Sequence, residues 1–165
     1  QRHYKNFTSM SWVYSCGAGA NYGTALESAL KMGETIHIPS CCYEIEEYIH
    51  GPNLQLTPQY NVIFFDGNDG ASRRVEQVYK ATRKVSNRAY LISNNPQLSS
   101  DDHVLSLSDT VSSELCPLVY LPFVQLLSFI VSNDLHSIYQ HPLLKEFKAI
   151  AAAKTENFVN YDGDD

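Results

Sequence analysis

The sequence predicts a three-layer α/β/α domain in which a mainly parallel sheet of about five strands is covered by helices on both faces. Three observations lead there. Apolar runs of strand length alternate with segments of helical spacing. The run "YNVIFFDG" (60–67) is apolar almost without interruption, as a strand buried on both faces must be. The glycine-rich turn "GAGANYG" (17–23) joins the first strand-like run to the first helical one.

The elements follow in order. "SWVYSCG" (11–17) reads as the first strand, and "ALESALKMGE" (25–34) as the helix it feeds. In that helix Ala25, Leu26, Ala29 and Leu30 form an apolar stripe, while Glu27, Lys31 and Glu34 recur at i, i+4 and i+7 on the other side. "TIHIPS" (35–40) is expected as the second strand, followed by a short helix in "EIEEYIH" (44–50) that the Gly51-Pro52 break must end. Glu44, Glu46 and Glu47 sit where negative charge favours a helix start. After the buried third strand, "GASRRVEQVYKATRKVS" (70–86) places Val75, Val78, Tyr79 and Val85 at helical spacing. "RAYLIS" (88–93) and "HVLSLS" (103–108) read as two more strands. "LPFVQLLSFIVSNDL" (121–135) and "HPLLKEFKAIAAAK" (141–154) read as helices with a proline near each first turn, and "NYDGDD" (160–165) as a solvated acidic tail. Ligands of such folds bind beyond the carboxyl ends of the strands, where the turns after Cys16 and Ser40 are expected.

Composition narrows the function classes. With 165 residues, 44% hydrophobic and 18% charged, the chain is long and apolar enough to bury one core. Twelve basic against eighteen acidic residues give a net charge of −6, which argues against nucleic acid as a partner. The most apolar window, 118–131, contains Pro122 and Gln125 and is shorter than the ~20 residues of a membrane span, so it is expected as a buried core helix and no membrane association is expected. Cys16, Cys41, Cys42 and Cys116 form no Cys-x-x-Cys pair and read as reduced thiols of a cytoplasmic protein. The "NFT" at Asn6 matches a glycosylation acceptor, but with no signal peptide it reads as a chance pattern. The chain begins "QRHYKN" without an initiator Met, and the reading expects it to be cut from something longer.

Among possible sites, the glycine turn offers Gly17 and Gly19, whose backbone amides at a helix N-terminus suit an anion, although a tight turn with no ligand fits equally well. Its G-x-G-x-x-x-G spacing is a poor dinucleotide fingerprint. His136 and His141 are the closest histidine pair. Their spacing of five does not share a helical face, so no metal site and no cofactor are expected. Glu34 and His50 remain, each unremarkable alone.

Together with their flanks they carry a resemblance. "ALESALKMGE" ends at Glu34, and the histidine of His50-Gly51-Pro52 follows sixteen positions later. That spacing, with the preceding helix and following strand, resembles the second half of the sugar isomerase (SIS) family, a flavodoxin-like fold. It is similar to the isomerase domain of glucosamine-fructose-6-phosphate aminotransferases and to fructoselysine-6-phosphate deglycases. The resemblance implies that residues 1–165 are a single SIS domain, the C-terminal half of a tandem double-SIS protein. It also implies a sugar phosphate substrate, an N-terminal SIS half as partner, and a homodimer. By the family's pattern Glu34 is the carboxylate that shuttles a proton between C1 and C2 of the opened sugar. His50 opens the ring, in its own or a neighbouring subunit. A C-terminal lysine, chosen as Lys154 over Lys145 and Lys148, completes the catalytic set, and Gly17, Gly19, Glu27 and Lys31 the substrate-binding one. The family's S-x-S-G-x-T phosphate loop is absent here, and "HGPNLQL" departs from the aminotransferases. The reading is therefore a deglycase or isomerase of a 6-phosphorylated ketosamine (fructosamine 6-phosphate type). The alternatives are a non-catalytic phosphosugar sensor and a dimerisation module.

Overall fold

The uninterrupted apolar run becomes the central strand. A computed structural model describes residues 3–107, 111–137 and 150, and in it β3 (Asn61–Asp66) is buried throughout. It lies in a five-stranded, wholly parallel sheet with β1 (Val13–Gly17), β2 (Ser40–Glu44), β4 (Ala89–Ser93) and β5 (Val104–Ser106), in the order β2-β1-β3-β4-β5. The expected α/β/α class and strand number are therefore observed.

Period-two alternation divides the core. Ile63 and Phe65 join Met32, Tyr120 and Val124 on one face; Val62 and Phe64 join Tyr48, Val75 and Tyr79 on the other. The helices follow from the strand order. Parallel crossovers are right-handed, so the step from β1 out to β2 and the steps back across to β3 and β4 must use opposite faces. Accordingly α2 (Ala20–Ile36) packs on the first face with α5 (Cys116–Asp134), while α3 (Ile45–Ile49) and α4 (Ser72–Arg83) cover the second. A short α1 (Tyr4–Thr8) leans on α5.

Several expectations are corrected. The second strand is not "TIHIPS": Thr35 and Ile36 finish α2, His37 caps it in the left-handed conformation at φ 62°, and β2 starts at Ser40. Because Ser40 begins β2, it lies at the amino edge of the sheet, not the ligand edge. Val85 falls beyond the end of α4 and is exposed. Pro117, not Pro122, occupies the first turn of α5; Pro122 lies inside that helix and costs it one backbone hydrogen bond. The second expected helix, 141–154, and the acidic tail lie outside the described residues, Ile150 apart.

The largest correction concerns apolar surface. In α2 the buried side is Thr24, Ala25, Ser28, Ala29, Met32 and Ile36, whereas Leu26 and Leu30 point outward. The stretch expected as a short buried core helix belongs to a 22-residue helical segment, Ser113–Asp134, long and apolar enough to cross a membrane by length and composition. Only one side of it is buried: Leu118, Leu126 and Phe129 are 68%, 57% and 63% exposed. Composition showed an apolar helix but not that the fold covers only one of its faces.

Candidate functional site

Glu34 lies in the last turn of α2. That helix leaves β1 at the carboxyl edge of the sheet and returns to start β2, so its end is at the amino edge. Lys31 reaches Glu34 Oε2 at 2.7 Å and Glu27 Oε1 at 3.5 Å. The three residues singled out at i, i+4 and i+7 thus form one charged strip with the cation in the middle. The Lys31 ammonium is raised above its ordinary pKa, chiefly by its hydrogen bond to Glu34. The Glu34 side chain is 49% exposed. Leu26, Leu30 and Glu34 are spaced by four and share one helix face, so the carboxylate ends an outward stripe that begins apolar.

His50 is held by a different local logic. Glu44 caps α3: its side chain accepts from the Glu46 N–H at 2.6 Å, and Glu47 Oε2 accepts from the Glu44 N–H at 3.2 Å. This reciprocal capping is what the crowded carboxylates accomplish. Glu46 faces outward and binds Arg74 of α4 through two nitrogens, at 2.6 and 3.1 Å, which holds its carboxyl below the usual range. The His50 N–H donates to Glu47 O at 3.1 Å and ends the helix; Pro52 then opens a 3₁₀ turn at Pro52–Gln55. The imidazole is exposed beside Glu46, whose carboxyl it also helps to lower.

The structure does not bring Glu34 and His50 together within one chain. They sit on helices covering opposite faces of the sheet. Lys154, Lys145, Lys148 and His141 lie outside the described residues. Gly17 and Gly19 do stand at the carboxyl edge. A Cβ on Gly17 would meet Asn21 O at 2.3 Å, and Gly19 starts α2 at φ 54°, so both glycines are required by the turn itself. The carboxylate of Asp69 lies close by, 3.6 Å from where a Gly19 Cβ would be. Its negative charge opposes an anion at this helix start.

Sequence reasoning missed the polar group at that edge. Asp66, wholly buried at the end of β3, accepts hydrogen bonds from Ser72 Oγ, from Ser93 Oγ at 2.7 Å and from the Asn68 N–H at 3.0 Å. Tyr120 of α5 donates to Asp66 O at 2.7 Å. The only signal was an acid ending an otherwise apolar strand.

No family model matches the chain. In sequence it is 30% identical over 131 residues to the glutamine–fructose-6-phosphate aminotransferase (isomerizing) of Methanothermobacter thermautotrophicus, over 77% of this chain and 22% of that protein. The protein of the same name from Xylella fastidiosa is 27% identical over 125 residues, 74% of this chain and 20% of its own length. The chain spans about a fifth of the length of these curated relatives. Among solved structures, a candidate phosphosugar isomerase of Clostridium difficile 630 superposes with a TM-score of 0.75 at 20% identity, over 93% of this chain and 43% of that one. The C-terminal domain of glucosamine-fructose-6-phosphate aminotransferase from Francisella tularensis gives 0.66 at 22% identity, over 80% and 38%. The sheet order and the superpositions thus define a flavodoxin-like α/β/α domain, the fold of these neighbours. Taken with the sequence matches, the chain is a sugar isomerase (SIS) domain, similar to the isomerizing aminotransferases.

Proposed function

We propose that this SIS domain is one half of a cytoplasmic enzyme that isomerises or deglycates a 6-phosphorylated ketosamine, and that its chemistry is completed by a second SIS unit. Glu34 carries the proton between adjacent carbons of the opened sugar, and His50 acts as the acid and base of ring opening. Lys154 assists, and the partner half supplies the phosphate grip. The observation that carries this reading is the outward stripe Leu26, Leu30, Glu34 beside the bare face of α5. A partner docked there buries apolar surface worth about 1.5–3 kcal/mol per large side chain, and in doing so desolvates a carboxylate in the way a general base requires. His50, on the other face, then serves a neighbouring subunit. The four thiols, free among the described residues, fit a reducing compartment.

Mixing tests the arrangement. A His50→Ala subunit and a Glu34→Gln subunit, each inactive alone, regain measurable turnover of a 6-phosphofructosamine in heterodimers if the residues act across an interface. Saturable calorimetric binding of the sugar phosphate without product would instead support the sensor. The Lys31 ion pairs give the dimerisation module its own support, since they occupy Glu34 structurally; that reading requires the Glu34→Gln and His50→Ala variants each to keep the parental turnover.

The docking face has a separate readout. Isolated, the domain is expected to satisfy its apolar face by self-association. Leu126→Glu with Phe129→Glu should shift sedimentation from dimer to monomer while leaving the circular dichroism spectrum unchanged. A parent chain monomeric at tens of micromolar contradicts the assignment.

A further inference from the structure

At the edge of the sheet away from α2, three side chains from distant parts of the sequence converge. His3 precedes α1; Asp102 and His103 precede β5. One ligand atom from each lies within 4.8 Å of the other two. His3 Nε2 is 3.7 Å from Asp102 Oδ2, and His103 Nε2 is 3.9 Å from Asp102 Oδ1. We propose that His3, Asp102 and His103 form a binding site for a divalent transition-metal ion of the zinc class, which clips the N-terminal segment to the start of β5.

The donor set suits such an ion. Two imidazoles and one carboxylate are ligands that Zn²⁺ accepts at about 2.0–2.2 Å, which places tetrahedral donor atoms about 3.4 Å apart. The two nitrogen–oxygen separations go to different oxygens of Asp102, so the three donor atoms, all within 4.8 Å of one another, close to that spacing by a turn of the carboxylate and of the His3 ring, whose Nε2 leaves Asp102 O at 3.1 Å. The exposed Asp102 and the partly exposed His3 can supply that movement. The imidazole rings of His3 and His103 have centroids 4.1 Å apart. A cavity of about 300 Å³ between α1, β5 and α5 includes all three residues in its wall, leaving room for a water as fourth ligand.

His103 is prepared for the role. It is buried, 5% exposed, just before β5, so its ring is held in place by the surrounding fold. Its Nδ1 lies 3.1 Å from Ala89 O and 3.0 Å from Arg83 Nη1. Only one of these contacts can be a hydrogen bond at a time. A proton on Nδ1 donates to Ala89 O and leaves the Nε2 lone pair facing Asp102, the arrangement by which a backbone carbonyl orients a metal-bound histidine. Arg83 does not depend on the ring, because it also donates to Asn87 Oδ1 at 2.6 Å. Metal binding therefore selects one tautomer and leaves Arg83 Nη1 bonded to Asn87.

The cluster stands on the face and edge away from His50 and includes none of the catalytic candidates Glu34, His50 and Lys154, so its fate is independent of the function proposed above. The test is titration of the full chain with CoCl₂ and ZnCl₂. One equivalent of Co²⁺ should give visible d–d bands of four-coordinate nitrogen and oxygen ligation, displaced by Zn²⁺, and Zn²⁺ should raise Tm reversibly to chelator. His3→Gln and Asp102→Asn, both in exposed or partly exposed positions, should each weaken binding by at least about 10- to 100-fold. His103→Gln should do the same if it folds. Intense near-ultraviolet thiolate bands would assign the metal to Cys41 or Cys42 and overturn the proposal. So would an affinity unchanged by His3→Gln, or no binding at all.

Discussion

Glu34→Gln in the complete protein is expected to lower kcat by about 10²- to 10⁴-fold, the contribution of a positioned general base, with KM nearly unchanged. Glutamine keeps the shape and the hydrogen-bonding oxygen of the glutamate, so substrate contacts survive; only the ability to take up and return a proton is lost. Stability gives an internal control. The Lys31–Glu34 pair is half exposed, and such pairs contribute about 0–1 kcal/mol, while Lys31 keeps Glu27 at 3.5 Å. The variant should therefore unfold at nearly the parental temperature. A loss of turnover with an unchanged Tm identifies chemistry. Turnover within threefold of the parent would remove Glu34 from the reaction and leave the Glu27–Lys31–Glu34 strip as a surface feature.

The strands were legible because each is a local pattern. An unbroken apolar run such as 62–65 can be little other than a central parallel strand. "TIHIPS" failed for a local reason as well: its Thr35 and Ile36 continue a helix whose inward positions, Met32 and Ile36, lie one turn apart and pack in the core. The sites were less legible. Spacing alone linked Glu34 to His50, but a sixteen-residue separation says nothing of faces. The right-handed crossovers and the reversal of strand order place the two helices on opposite sides of the sheet. The His3–Asp102–His103 cluster left no sequence signal, because 99 residues separate the His3 ring from the Asp102 carbonyl it meets at 3.1 Å. The bare sides of α2 and α5 were hidden for the complementary reason. Hydrophobicity identifies surface that needs covering, and only the packed structure shows which of it the same chain covers.

Asp66→Ala is expected to cost about 3–5 kcal/mol, at the upper end for a single substitution and a large share of the roughly 5–15 kcal/mol by which a domain is stable. The carboxylate gathers three donors from two loops at the carboxyl edge: Ser72 Oγ and the Asn68 N–H after β3, and Ser93 Oγ at the end of β4. Each hydrogen bond to a charged acceptor contributes about 1.5–3 kcal/mol, and truncation leaves buried donors unmatched. Opposing this, the substitution relieves the desolvation of a buried acid, which is why the expected loss is less than the sum of three bonds. Asp66→Asn separates these effects. Its Oδ1 still accepts from Ser72 and Asn68. Its Nδ2 can donate to Ser93, whose hydroxyl oxygen already accepts from the Asn95 N–H at 3.0 Å and has a second lone pair. Asparagine should therefore cost about 1 kcal/mol or less, read from urea midpoints with unchanged slope. If alanine were as mild as asparagine, the three donors would have found water, and the carboxyl edge would be an open polar cleft rather than a sealed clamp.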